Sequence, residues 1–178
     1  MLTIISGTNR INSKTRQVVQ NAIEIAKELK IDFKLIDLAE LSNDFIHNEQ
    51  YNSDNWPDWL KTLQENSLIA ASHFLIVSPE YNGSFSGYLK LFIDAISVYR
   101  FKESIGGKHA ALVGVAAGRA GNLRGLDQLT TILHSNGCDV IPGSLPISKI
   151  NAVMDDNGQL DEATTAILRK LIERLVKT

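Results

Sequence analysis

Hydrophobic and polar positions along the chain switch repeatedly between a period near two and a period near three and a half. Leu2 to Ser6 is a short, β-branched apolar run that ends at Gly7, and it predicts a first strand. From Ser13 to Leu29, apolar residues fall at Val18, Val19, Ala22, Ile23, Ala26 and Leu29, the spacing of one helix face. Ile31 to Leu38 alternates, with Phe33, Leu35 and Asp37 on one side, as a second strand would. Residues 39–55 are mostly polar and read as a long irregular connection. A helix is expected from about Pro57, whose missing N–H costs nothing in a first turn, to Ala71. Phe74 to Ser78 is continuously apolar, as in a strand buried on both faces. After a polar loop comes a helix from Ser86 to Tyr99, then a fourth strand from Lys108 to Ala116. Asn122 to His134 predicts a helix and Asp139 to Ile141 a short fifth strand. Asp161 to Val176 closes the chain as an amphipathic helix, with Ala163, Ile167, Leu171 and Leu175 in register.

Five βα units in succession imply a parallel sheet with helices on both faces. No repeat at solenoid spacing competes with this reading. The expected architecture is α/β, one domain over residues 1–178: a three-layer, doubly wound fold of the flavodoxin-like form, strand order 2-1-3-4-5. Ligands in such sheets bind outside the carboxyl ends of the strands, at the switch point. The loops after strands one, three and four converge there.

The first of these loops runs Ser6-Gly7-Thr8-Asn9-Arg10-Ile11-Asn12-Ser13-Lys14-Thr15. Gly7 permits a tight turn. Thr8, Ser13 and Thr15 offer hydroxyls, and Asn9 and Asn12 offer amides. A helix starting near Ser13 aims its free N–H groups into the loop, and Arg10 can add a forked charge. That composition suits a phosphate; a plain N-cap at Ser13 in a solvated turn is the alternative. A triphosphate-binding loop would need a second glycine before Lys14-Thr15, and a dinucleotide fingerprint would need three glycines.

The loop after strand three reads Ser78-Pro79-Glu80-Tyr81-Asn82-Gly83-Ser84-Phe85-Ser86-Gly87. It is too polar for core, yet holds two aromatics and two glycines. Gly83 and Gly87 allow close approach by a flat ligand, Tyr81 offers apolar surface, and an ordinary Asn/Gly/Ser turn is the plainer reading. Pro79-Glu80-Tyr81-Asn82-Gly83-Ser84, followed by Gly87-Tyr88-Leu89-Lys90 and Ile93-Asp94, resembles the signature of the NADPH-dependent FMN reductase family. Gly7-Thr8-Asn9-Arg10-Ile11-Asn12-Ser13 is similar to that family's phosphate loop, with Thr8 in place of the usual Ser. The resemblance spans residue 1 to about 141. It implies a flavin, quinone, azo-dye or metal-oxyanion reductase. Thr8, Arg10, Ser13, Lys14 and Thr15 would hold the FMN phosphate. Pro79, Glu80, Tyr81, Asn82, Gly83 and Ser84 would line the isoalloxazine ring. The helix carrying Lys90 and Asp94 would join a subunit interface, giving a homodimer or homotetramer; a solvated helix face is the alternative.

The third loop, Ala117-Gly118-Arg119-Ala120-Gly121-Asn122-Leu123-Arg124, departs from the family pattern, which carries Ser residues and a Gly-Gly pair. Gly118 and Arg119 are the candidates for the flavin edge, and Arg119 or Arg124 for the phosphates of the donor. The implied reaction is ping-pong: hydride passes from NADPH (or NADH) to flavin N5, then electrons pass to a small-molecule acceptor. The cofactor carries the chemistry, so no catalytic side chain is required. An FMN-binding electron carrier or sensor without turnover is the alternative; true flavodoxins are more acidic and lack the loop arginine.

Composition adds exclusions. With 44% hydrophobic and 21% charged residues the chain resembles an average globular protein, and a net charge of -2 advertises neither nucleic acid nor an anionic membrane. Cys138 is the single cysteine, so no internal disulfide or dithiol pair exists. His47, His73, His109 and His134 lack metal-ligand spacing, and Asp155-Asp156-Asn157-Gly158 lacks the length of a calcium loop and reads as a turn. The opening residues form a strand rather than a signal peptide, and no apolar stretch has membrane-spanning length, so a cytoplasmic protein is expected. The 39–55 connection and Pro142 to Asn157 are expected at the rim of the site, where they would select the acceptor.

Overall fold

The structure is a computed structural model that describes residues 1–178, the side chain of Ser53 excepted. Its centre is a parallel sheet of β1 (Leu2–Ser6), β2 (Phe33–Asp37), β3 (His73–Pro79), β4 (His109–Val115) and β5 (Asp139–Val140), in the order β2-β1-β3-β4-β5. A further strand, β6 (Leu145–Ile147), also pairs with β4. The fifth position in the sheet is therefore filled by two pieces: β5 pairs with His109 and Ala110, and β6 with Val113 to Val115. The rim segment expected over 142–157 thus includes a strand; Pro146 is tolerated in it because this is the sheet's edge, where a missing N–H costs no ladder bond.

The helices are α1 (Lys14–Glu28), α2 (Asp58–Leu63), α3 (Gly87–Ile96), α4 (Phe101–Ser104), α5 (Leu123–Ser135), α6 (Ile150–Val153) and α7 (Glu162–Leu175). Three begin on capping side chains: the Ser13 hydroxyl accepts from Arg16 N–H, Ser86 from Leu89 N–H, and Asp161 from Thr164 N–H. One core layer lies under α1 and α7, built on Leu2, Ile4, Leu75, Val77, Ala111 and Val113. The other lies on the opposite face, built on Ile5, Phe74, Ile76, Ala110 and Leu112 with Phe92, Leu89 and Leu133 from the helices. Alternate residues of each central strand thus serve opposite cores, which is why those strands are apolar throughout.

Two expectations change. The strand expected over 31–38 faces inward through Ile36 and Leu38 rather than Leu35, which is 40% exposed. β2 is the other sheet edge, and the buried Asp37 on the face of Leu35 is held by an ion pair with Arg16 Nε at 2.8 Å. The helix expected from Pro57 to Ala71 is α2 continued by a π-helical turn, Gln64–Ile69. Buried Gln64 donates from Nε2 to the carbonyls of Ile96 (3.1 Å) and Tyr99 (2.9 Å), pinning that turn to the end of α3. Lys108 closes the other end: its ammonium donates to the carbonyls of Leu68 (2.8 Å), Ile69 (3.0 Å) and Ala71. The connection 39–55 is irregular apart from a 3₁₀ turn at Ser53–Asn55, and its Phe45 is buried against Trp59, Tyr88 and Phe92.

The end of the sheet away from the site carries a histidine pair. His73 and His109 are cross-strand partners with rings 6.0 Å apart, and His73 Nδ1 lies 2.8 Å from the Ser72 hydroxyl. Burial, then the His109 charge, then the N-terminal ammonium all lower the His73 pKa below its ordinary value. The neutral ring is therefore favoured in the fold, and the unfolded chain takes up the extra proton as pH falls below the ordinary imidazole range. Stability should drop between about pH 7 and about pH 5, and His73→Gln should make that drop shallower. Equal slopes of Tm against pH for the two proteins would remove His73 from this account.

Candidate functional site

The switch point lies between β1 and β3, whose crossover connections leave in opposite directions. Gly7 follows β1 there. Its N–H donates to Val77 O (2.8 Å), and its carbonyl accepts from the Ser86 hydroxyl. A Cβ at Gly7 would stand 2.8 Å from Val77 O, so only glycine permits this approach.

Above this seam is a cavity of about 280 Å³. The loop after β1 contributes Arg10, Asn12, Ser13, Lys14 and Thr15 to its wall. The segment after β3 contributes Pro79, Glu80 and Tyr81, and the end of β4 contributes Val115, Ala116 and Ala117. Ile150 and Asn151 complete it. The backbone N–H groups of Lys14 and Thr15, in the first turn of α1, have no carbonyl acceptor within the helix. Arg10 is exposed, and neither Arg10 nor Lys14 joins an ion pair among the described residues. Donors and unneutralised cations on one wall make an anion site.

Of the residues singled out from the sequence, Arg10, Ser13, Lys14, Thr15, Pro79, Glu80 and Tyr81 share this cavity. Thr8 stands behind its wall, fully buried, with Oγ1 accepting from Arg10 N–H (3.2 Å) and lying 2.8 Å from the Tyr81 hydroxyl. Asn82 and Gly83, both at positive φ (53° and 79°), form the tip of a tight turn closed by reciprocal Tyr81–Ser84 backbone hydrogen bonds. Ser84 turns away to bond Gln128 and lines a different groove.

Gly118 and Arg119 are not in the lining, where Ala116 and Ala117 stand instead. Their carbonyls are taken by Lys149 N–H (2.9 Å) and the Ser148 hydroxyl (2.6 Å). Those bonds also explain why Ile150 and Asn151 reach the site. The strap after β6 is laced to the loop after β4, with Ile150 N–H also donating to Ala116 O at 3.0 Å. The sequence of 142–157, expected as a rim, carries no local signal for this lacing. The one available hint was the apolar Leu145 and Ile147.

Asn122 locks the altered third loop. It is buried and left-handed (φ 69°), a conformation asparagine tolerates. Its Nδ2 donates to Ser78 O (3.2 Å) and Pro79 O (2.9 Å), while its N–H donates to Glu80 Oε2 (3.1 Å). One oxygen of Glu80 is thus committed to holding the loop.

The order of strands, the glycine-tight switch point and the anion-binding wall define a doubly wound α/β domain of the flavodoxin type. Residues 1–152 match the NADPH-dependent FMN reductase family, and the chain belongs to it. A NAD(P)H-dependent FMN reductase of Pseudomonas aeruginosa is 30% identical, over 96% of this chain and 90% of its own. A quinone reductase of Pseudomonas putida is 24% identical, over 96% and 90%. Among solved structures, the NAD(P)H:acceptor flavoenzyme FerB of Paracoccus denitrificans superposes with a TM-score of 0.79 at 22% identity, covering 99% of this chain and 94% of that one. The protein is an enzyme of the NAD(P)H-dependent FMN reductase and quinone reductase family. No helix among the described residues is long and apolar enough to cross a membrane.

Replacing Asn122 by Ala removes its Nδ2 bonds to the Ser78 and Pro79 carbonyls and places a non-glycine residue other than asparagine in the left-handed region. The expected cost is about 2–3 kcal/mol, read as a lower urea midpoint at unchanged slope. An unchanged midpoint would show that the loop after β4 does not depend on Asn122.

Proposed function

We propose that the chain, over residues 1–178, binds FMN at the switch point and uses it to pass electrons from NADPH or NADH to a small-molecule acceptor. The observation that carries this reading is the cavity wall on which Arg10, Lys14, the Ser13 and Thr15 hydroxyls and the first turn of α1 meet without a neutralising acid. That donor set fits a phosphate monoester. Glu80, the carboxylate in the lining, is turned to the Asn122 N–H. Bound FMN supplies a relay between a two-electron donor and an acceptor. Arg10 and the α1 amides anchor the phosphate end. The Pro79–Ser84 segment, stiffened by Pro79 and by the Tyr81–Ser84 turn, would carry the ring. Relatives named as FMN, quinone and azo-dye reductases support an acceptor of flat, conjugated type.

We also propose a homodimer. The groove between α3 and α5, about 480 Å³ and lined by Phe85, Gly87, Lys90, Gln128 and Ile132, supports docking of a second copy. Light scattering at micromolar concentration should give at least twice the 19.6 kDa chain mass; monomer alone would reject the dimer.

The first test is a visible spectrum after incubation with FMN and desalting, then under anaerobic NADPH and NADH. Retained flavin absorbance that either donor bleaches is the expected result. No retained flavin, or flavin that both donors leave oxidised, overturns the reading. Arg10→Ala should weaken FMN binding by about 1.5–3 kcal/mol, the size of a charge-assisted hydrogen bond. Unchanged FMN affinity would remove Arg10 from the site.

A further inference from the structure

Tyr81 stands in the sequence as apolar surface for a ring, but its hydroxyl makes a contact that this role does not need. Tyr81 Oη lies 2.8 Å from Thr8 Oγ1, joining the loop after β3 to the loop after β1. Either oxygen can donate in that contact, and the surroundings decide which one does. Thr8 is fully buried. Its Oγ1 already accepts the Arg10 N–H at 3.2 Å, so its own hydrogen needs an acceptor. Among the described residues, the atom available for it is Tyr81 Oη. If Tyr81 donated instead, the Thr8 hydrogen would be buried without a partner, which is the costly arrangement. The low-energy chain is therefore Arg10 N–H to Thr8 Oγ1, and Thr8 O–H to Tyr81 Oη.

That direction leaves the Tyr81 hydrogen free. Tyr81 is partly exposed and lines the cavity beside Arg10, Ser13, Lys14 and Thr15. We propose that Tyr81 is a directed O–H donor to the phosphate of the bound flavin, oriented by Thr8, so that this tyrosine selects the phosphorylated cofactor over the unphosphorylated one. The inference rests on the FMN reading above. Thr8 is then a positioning residue that acts through Tyr81. A hydroxyl at position 8 is required for this.

The test is fluorescence titration of wild-type, Tyr81→Phe, Thr8→Val and Thr8→Ser proteins with FMN and, separately, with riboflavin, which has the same ring and no phosphate. Tyr81→Phe should weaken FMN binding about tenfold, the size of one hydrogen bond to a charged group, and leave riboflavin within about twofold. Thr8→Val should lower the FMN-to-riboflavin preference in the same sense, and Thr8→Ser should keep it. Tyr81→Phe losses that are equal for the two flavins would place Tyr81 at the ring and overturn the proposal, as would an unchanged preference. Wild-type protein that binds riboflavin as tightly as FMN would reject phosphate recognition by this wall. Wild-type protein that binds neither would overturn the FMN reading itself, and this proposal with it.

Discussion

The site depends on one close approach, that of Gly7 to the backbone of β3. Its N–H bonds to Val77 O extend the β1–β3 ladder by one residue beyond the strand. The chain then turns over the sheet end with no side chain in the way. The Ser86 hydroxyl, which caps α3, also holds the Gly7 carbonyl. A single glycine thus fixes the start of the anion loop and the start of the next helix together. A side chain here would push apart the two elements that meet at the switch point, and with them both walls of the cavity.

The remaining loops are held by polar satisfaction rather than by packing. Asn122, Glu80, Ser148 and Lys149 each meet a backbone group of a neighbouring loop. A parallel sheet ends in carbonyls and amides that no further strand will pair, so something in the loops must pair them. This supplies a physical account of the altered loop after β4. The family's Ser residues and paired glycines are missing, yet the loop is anchored through Asn122 and through the strap after β6. The same anchoring moves Gly118 and Arg119 out of the cavity wall and moves Ala116 and Ala117 in.

The opposite end of the sheet follows the same rule with different groups. Lys108 saturates the carbonyls that the π-helical turn leaves free, although burial lowers its pKa and so opposes its charge. Cys138 beside it is fully buried, and burial, then Asp139, pushes its thiol up to about 12. A thiol that stays protonated is packing, in keeping with a protein whose electrons travel through a cofactor.

Periodicity and glycine placement determined much of this protein by themselves. Alternating βα patterns gave the parallel sheet with helices on both faces, and the right-handed crossover rule narrowed its strand order to a few, of which the flavodoxin-like one is found. The loops after β1 and β3 were legible because Gly7, Arg10, Ser13 and the Pro79–Ser84 run carry their chemistry locally, within a few residues. What only the tertiary structure decided lies between segments far apart in the chain. Leu35 faces outward because β2 is an edge; β6 fills the fifth position despite Pro146; Ile150 and Asn151 join the cavity because Lys149 bonds Gly118. The direction of the Tyr81 hydroxyl depends on Thr8, 73 residues away. A sequence states which donors and acceptors exist, but which one faces which is settled only when burial removes water as the alternative partner.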